Sequence, residues 1–469
     1  MGNKLRVAMI SFHTNPLEQP GVGNAGGMNV YVAQLAYALA DLGVEVELFT
    51  RANSAAGSKR IIVEKQVRPG VRLWEIPTET LGQLAIRDLA DEVESFTAGV
   101  LHVINSQSAA LGLAPAENWV DLIHSHYWLS GLSGLELKSK LHIPLVHSMH
   151  TMARTKNAAL APGDIPESIQ RIIGETDIVE SADALIAATA HEANELSNEY
   201  DADPSKIAII PPGVDKKTFT PAITSTITPS SPILPSSSHP AELSTAIPQG
   251  PRECGSRSES AGSLKANNES SKLNYRNGLA IPAPLKSGKI ILFAGRIQKL
   301  KNPDLLVRAL PALPADTHLV ILGGVSGDSL GEKELKALAA ELNVADRVQI
   351  LAPVPARELA NWYRAADLVA VPSYNETYGL VAAEAISSGT PVVAAAVGGL
   401  PTIVQDGVTG KLVPGHSLAD WTRALNELLS DDELRAKLAQ NCTAATNIAS
   451  WQEVASQTAK IYKNLTSTG

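Results

Sequence analysis

Short apolar runs alternate with stretches of helical period along most of the chain, and this alternation constrains the fold more than any other feature. Leu5–Ser11 reads as a buried strand, Asn29–Leu42 as a helix closed by Gly43, and Val44–Thr50 as the next strand. Ile61–Val67, Val71–Ile76, Leu122–His124, Pro144–Ser148, Ala184–Ala188 and Ile207–Ile210 continue the strand series, with helical stretches between most of them. Strands joined through helices pack as right-handed βαβ units, which predicts a parallel sheet with helices on its faces. A second series starts at Lys289–Ala294 and runs through His318–Leu322, Arg347–Leu351, Leu368–Val371, Val392–Ala395 and Gly410–Val413. The expected fold class is therefore α/β, with two parallel-sheet domains.

The two series are separated by a change in composition. From Thr220 to about Gly288, Ser, Pro, Thr, Ala and Asn dominate and large apolar residues are few. Such a stretch cannot bury enough surface to offset its ordering entropy, and a connection this long belongs between domains rather than inside one. The chain then divides into a first domain over 1–219, a low-complexity insertion over 220–288 expected to be disordered, a second domain over 289–440 and a C-terminal segment over 441–469. The helical pattern Gln452–Asn464 in that last segment is expected to pack back toward the first domain.

Charge and composition exclude several function classes. A net charge of −9 argues against nucleic-acid binding, which needs a basic footprint. No apolar run approaches the ~20 residues of a membrane helix, and Leu5–Ser11 is too short and wrongly flanked for a signal peptide. A cytoplasmic location without stable membrane insertion is expected. The two cysteines, Cys254 and Cys442, form no CxxC pair, so neither a disulfide scaffold nor a structural zinc site is expected.

Three motifs carry chemistry. Gly21-Val-Gly-Asn-Ala-Gly26-Gly27-Met28-Asn29 contains a literal G-x-G-x-x-G at a helix start, where backbone N–H groups favour anions. Its strand ends near Ser11, too far upstream for a dinucleotide fingerprint, so a nicotinamide dehydrogenase is the weaker reading and a flexible glycine loop the bland one. Phe293-Ala-Gly295-Arg296 with Lys301 places two cations after a strand end, where open α/β sheets bind ligands and a diphosphate would suit them; a solvated basic loop is the alternative. The strongest motif is Pro372-Ser-Tyr-Asn-Glu376-Thr-Tyr-Gly379-Leu-Val-Ala-Ala-Glu384, in which two carboxylates flank a helix opening at Gly379. That helix N-terminus could receive a diphosphate, with Glu376 toward a sugar and Glu384 toward ribose hydroxyls. Two solvated acids would explain neither the apolar Leu380–Ala383 between them nor the Gly-Thr-Pro that follows.

Glu376 to Glu384 resembles the E-x7-E motif of retaining glycosyltransferases with the GT-B fold, in which two Rossmann-like domains face a cleft, and Gly295-Arg296 with Lys301 resembles that family's diphosphate clamp. Within the family, the N-terminal half is most similar to the inositol-phosphate glycosyltransferases of mycothiol biosynthesis. Met9–Pro16, Gly26–Val32, His124–Gly131 and Tyr200–Pro204 carry that likeness. The resemblance implies transfer of N-acetylglucosamine from UDP-N-acetylglucosamine to 1D-myo-inositol 3-phosphate with retention. A UDP-glucose-dependent enzyme similar to sucrose-phosphate synthase, and a non-catalytic sugar-nucleotide sensor, are the alternatives.

By resemblance His150, Glu376, Arg296 and Lys301 are catalytic. His13, Gln19, Pro20, Gly27 and main chain near Val354 join Arg296, Lys301, Glu376 and Glu384 around the donor. Asn24, Ala25, Gly26, Gly27, Met28 and Asn29 line the acceptor site, and Tyr127, Thr151 and Arg171 grip its phosphate. No cofactor is needed for the chemistry; a peripheral magnesium ion would lie near Tyr363, Arg364, Ala366 and Thr390. The partners implied are a UDP-sugar and a phosphorylated small molecule, and a homodimer is left open. The sequence departs from the pattern in two places. Asn24-Ala25 stands where the family has an aspartate, and Ile86 beside Arg87 stands where the family has a phosphate-binding lysine.

Two decoys are set aside. Asp201-Ala-Asp203 matches a metal-binding D-x-D, but Pro204 follows and a turn is expected. His124 and His126 are taken to point to opposite faces of a strand and so not to share an ion; a stacked or hydrogen-bonded histidine at the strand end is expected instead. Composition also makes a prediction of its own. Limited proteolysis should cut first between about residues 222 and 272, and replacing that stretch by a short linker should leave transfer activity intact. Loss of transfer in a still-folded deletion would show that the segment has a role.

Overall fold

The computed structural model describes residues 4–467 apart from 22, 54–59, 81, 83, 85–87, 115–116, 223–271, 280, 282, 325–330 and 446. The expected disorder of the insertion over 223–271, and the substitution at Ile86 and Arg87, lie outside the described residues.

Strands β1 (Arg6–Ile10), β2 (Glu45–Arg51), β3 (Val63–Arg68), β4 (Val71–Ile76), β5 (Leu122–His126), β6 (Leu145–Ser148), β7 (Ala184–Ala187) and β8 (Ile207–Ile209) form one sheet, ordered β3-β4-β2-β1-β5-β6-β7-β8. Strands β9 (Lys289–Ala294), β10 (Thr317–Leu322), β11 (Val348–Leu351), β12 (Leu368–Val371), β13 (Val392–Ala395) and β14 (Gly410–Val413) form the other, ordered β11-β10-β9-β12-β13-β14. The central strands are apolar throughout because helices cover both faces; Val7, Ala8, Met9 and Ile10 are all fully buried. One pairing departs from the all-parallel expectation. β3 runs antiparallel to β4, because the Pro69-Gly70 link, with Gly70 at φ +79°, makes a tight turn where a parallel crossover would need a dozen residues.

In each sheet the chain winds outward in both directions from the centre, so the loops after β1 and β5, and after β9 and β12, diverge and leave a crevice at the carboxyl ends. Those two crevices face one another across a cleft lined by both domains.

The C-terminal helix binds the halves together, and a segment before β9 completes the second domain. The helix Trp451–Ser467 returns to the first domain, burying Trp451, Val454, Ala455, Ala459 and Tyr462 against Tyr31, Val32, Leu35 and Leu39 of the helix Gly27–Asp41. Its Tyr462 hydroxyl meets His124 Nδ1 on β5 at 2.6 Å. Residues 272–288, counted from composition with the coreless insertion, belong instead to the second domain. Leu279, Ile281 and Leu285 are buried in its core, and Lys272 and Arg276 both pair with the buried Asp367.

Candidate active site

The second-domain wall is built from two loops and one helix end. Gly295 follows β9 at φ +149°, and the half-buried Arg296 lies across the cleft against Gly26, where an added Cβ would stand 3.6 Å from its Nε. Lys301 Nζ donates to Glu376 Oε1 at 2.5 Å, and Ser373 Oγ donates to the same oxygen at 3.0 Å. The backbone of Glu376 is pinned from behind, since Gly399 N donates to its carbonyl at 2.8 Å. A Cβ on Gly398 would lie 2.0 Å from that oxygen, so only glycine fits there. Gly379, at φ +105°, starts the helix Leu380–Ser387 and opens its unpaired N–H groups toward the cleft. Glu384, one turn along, is 8% exposed and accepts from the Tyr363 hydroxyl at 3.0 Å. Burial pushes its pKa up to about 7.

The first-domain wall is rich in buried histidine. His13 follows β1, and its ring lies 4.4 Å from that of Tyr127. His126 Nδ1 meets Nε2 of His150 at 3.0 Å. His150 adopts φ +61°, an uncommon conformation for a side chain with a Cβ, and its carbonyl accepts from Thr377 Oγ1 of the second domain at 2.7 Å. Burial lowers the pKa of both His13 and His150 to about 3. Both are therefore neutral imidazoles at physiological pH, offering hydrogen bonds rather than charge.

The expectation for His124 and His126 needs correction. Residues two apart on a strand share a face, and these rings lie 4.2 Å apart. They form no ion site: His124 is taken up by Tyr462 and by Ser148 Oγ at 3.0 Å. Among the described residues no cluster of three His, Cys, Asp or Glu could hold a metal ion. Asp203 of the D-x-D match is a turn, its carboxylate accepting from Ser205 N at 2.9 Å.

Tyr127, Thr151 and Arg171 do come together. Arg171 is 3% exposed, stacks over Tyr127 at 4.9 Å, and donates through NH2 to both the carbonyl and hydroxyl oxygens of Thr151 at 3.0 Å. His13, Gln19, Pro20, Asn24, Gly26, Gly27, Met28, Asn29 and Val354 line the same cleft. Gln19 Nε2 donates to Val354 O at 2.9 Å, tying the domains together at the expected base pocket. Ala25 does not line the cleft; its side chain is fully buried and its carbonyl accepts from Gly21 N. Tyr363, Arg364, Ala366 and Thr390 also lie outside it. They offer carbonyl and hydroxyl oxygens without a carboxylate, and Tyr363 O already accepts from Thr390 Oγ1 at 2.6 Å. Oxygens of that kind without a carboxylate are a poor fit to magnesium, which usually keeps one or two carboxylates.

Sequence reasoning missed the supports. Glu175, fully buried, holds Arg171 Nε at 2.7 Å, and Glu167 holds Arg171 NH1 at 3.1 Å. Their spacing of four on either side of Arg171 was the signal available in the sequence. Thr377 left no such signal, because its partner is a backbone carbonyl in the other domain.

The cleft encloses about 2250 Å³, more than the ~300–1,000 Å³ of a single small-molecule site, so it has room for two ligands together. Two doubly wound sheets facing such a cleft, with paired cations, a helix N-terminus and two glutamates on one wall, define a two-domain glycosyltransferase. The family described as Glycosyl transferases group 1 matches residues 280–444, and the Glycosyl transferase 4-like domain matches residues 26–213. A D-inositol 3-phosphate glycosyltransferase of Xylanimonas cellulosilytica is 46% identical over 98% of this chain and 97% of its own length. Its counterpart in Salinispora arenicola is 43% identical over 97% of this chain and 91% of its own length. The chain belongs to the D-inositol 3-phosphate glycosyltransferase family. The nicotinamide reading of Gly21–Gly26 falls with that assignment. Among solved structures, sucrose-phosphate synthase from Thermosynechococcus elongatus is similar at TM-score 0.78 and 26% identity, covering 99% of this chain and 100% of that one. Anabaena HepE, solved with UDP and glucose, shares the fold at TM-score 0.67 and 18% identity over 98% of this chain and 99% of its own. No helix among the described residues is long and apolar enough to cross a membrane.

The burial of Glu384 makes a prediction about stability. Its folded pKa of about 7 stands above the unfolded value of 4.5, so its contribution is fully present below pH 4.5 and is lost as pH rises through about 7. In ligand-free protein, Glu384→Gln should match the wild type below pH 4.5 and become the more stable of the two by pH 7. Denaturation midpoints of the two proteins measured across that range check this; a constant gap would contradict it.

Proposed function

We propose that the protein transfers a sugar from a uridine diphosphate sugar, with N-acetylglucosamine the leading donor group, to 1D-myo-inositol 3-phosphate, retaining the anomeric configuration. The convergence of Tyr127, Thr151 and Arg171 from three separate segments carries the reading. They gather at one side of a cleft whose other wall holds Arg296, Lys301 and the Gly379 helix end. The names of the relatives that match over nearly the whole chain support the same acceptor.

On this reading the donor diphosphate lies among Arg296, Lys301 and the N–H groups at Gly379. The bond from the sugar C1 to the diphosphate oxygen breaks, and negative charge collects on that oxygen. Preorganised cations and the helix end stabilise that charge most in the transition state. The acceptor hydroxyl attacks from the same face, forms the new C1–O bond and passes its proton to the departing phosphate oxygen. Glu376 accepts from sugar hydroxyls and Glu384 from the ribose. Neutral His150 offers a hydrogen bond beside the transferred sugar. The cross-domain bonds Thr377–His150 and Gln19–Val354 hold the cleft shut, which limits attack by water on the donor.

A sugar phosphate other than inositol phosphate is the second reading, favoured by the likeness to sucrose-phosphate synthase. Transfer from UDP-N-acetylglucosamine should be compared with inositol 3-phosphate, free inositol and other sugar phosphates as acceptors. We expect kcat/KM for inositol 3-phosphate to exceed that for inositol by about one to two decades, the worth of one charge-assisted contact. Equal use of both would refute the phosphate pocket, and preference for another sugar phosphate would leave only the second reading.

A further inference from the structure

Two carboxylates share the guanidinium of Arg171, and they are not equivalent. Glu175 is fully buried and satisfied on both oxygens: one accepts from Arg171 Nε, the other from Ala153 N at 2.8 Å and the Tyr200 hydroxyl at 2.5 Å. It is a permanent partner that fixes the plane of the guanidinium. Glu167 is different. Its side chain is 22% exposed and lines the cleft, one oxygen 3.1 Å from Arg171 NH1 and the other bound by Lys156 Nζ. A carboxylate clasped between a lysine and an arginine at the edge of a ligand cleft occupies the place an anionic ligand group would take.

The backbone around it suits exchange. Glu167 N donates to Asn157 Oδ1 at 2.7 Å, and Asn157 Nδ2 donates back to Glu167 O at 3.3 Å. The main chain is thus held in place, and release of the carboxylate needs only side-chain rotation toward solvent. Charge favours the exchange as well. Lys156 and Arg171 are offset by Glu167 and Glu175 when all four are paired. Once Glu167 swings out, one uncompensated positive charge remains to receive a phosphate, and Lys156 supplies a second cation beside Arg171.

We propose that the Glu167 carboxylate is a resident stand-in for the acceptor's phosphate, displaced when that phosphate binds between Lys156 and Arg171, and that Lys156 is a phosphate-binding residue of the acceptor site. This rests on the reading of the acceptor as a phosphorylated molecule. An acceptor without phosphate does not displace the carboxylate, because it brings no negative charge to compensate the positive charge left behind. Glu167 thereby adds discrimination that Arg171 alone would not give.

The probe is inorganic phosphate, titrated as an inhibitor competing with inositol 3-phosphate in wild type, Glu167→Gln and Lys156→Met, with melting curves to confirm folding. Glu167→Gln removes the competing charge and should lower both the inhibition constant of phosphate and the acceptor KM by about tenfold, while Lys156→Met should raise both by about tenfold, one decade each. If Glu167→Gln weakens phosphate binding, the carboxylate positions the cations rather than occupying their ligand's place, and the proposal is overturned. Unchanged constants in both variants overturn it too. Failure of the acceptor reading looks different: the wild type itself would then use inositol and its phosphate equally, and phosphate would not compete.

Discussion

The ion pair between Lys301 and Glu376 sets the geometry of the cleft. It joins the loop after β9 to the loop after β12 across the point where the second sheet's winding reverses. Glu376 has little freedom to move, because the Gly398-Gly399 turn clasps its carbonyl from behind while Lys301 and Ser373 hold its carboxylate in front. Arg296 lies across the same gap against the Gly26 loop of the first domain. A chain fixed at these points presents its cations and the Gly379 helix end in fixed directions. Charge that appears during a reaction there meets dipoles already in place, without reorganisation of water.

The first domain contributes shape and hydrogen bonding more than charge. Burial holds His13 and His150 neutral, and the strained backbone at His150 is kept by a hydrogen bond from the opposite domain. Its charged groups include the Arg171 cluster, where the buried Glu175 orients the guanidinium and the partly exposed Glu167 pairs with it. On the proposed reading the two walls divide the work: one would stabilise a leaving diphosphate, the other would recognise an acceptor.

Much of this was legible in the sequence for physical reasons. Alternating apolar runs specify a buried parallel sheet, so nearly every strand was placed within a residue or two, and Gly379 marked the helix that would present its N-terminus. Three things were not legible. The β3–β4 pair is antiparallel because a tight turn overrode the βαβ pattern. Residues 272–288 have the look of linker, yet Leu279, Ile281 and Leu285 are buried and Lys272 and Arg276 reach Asp367, a partner about ninety residues away. Glu167 and Lys156 stood unnoticed beside Arg171, since their meaning depends on a loop folding back onto a helix. The likeness to known glycosyltransferases pointed to Tyr127, Thr151 and Arg171, and the structure shows that they come together and that Glu167 and Glu175 hold Arg171.

The central claim is that the fixed cations Arg296 and Lys301 stabilise the departing diphosphate. Single-turnover transfer rates of Arg296→Ala and Lys301→Ala, measured beside their melting temperatures, test it most directly. Each removes one preorganised donor, worth ~3 kcal/mol of barrier, so the rate should fall by about two decades while melting shifts little. Near-wild-type rates in both folded variants would contradict the account.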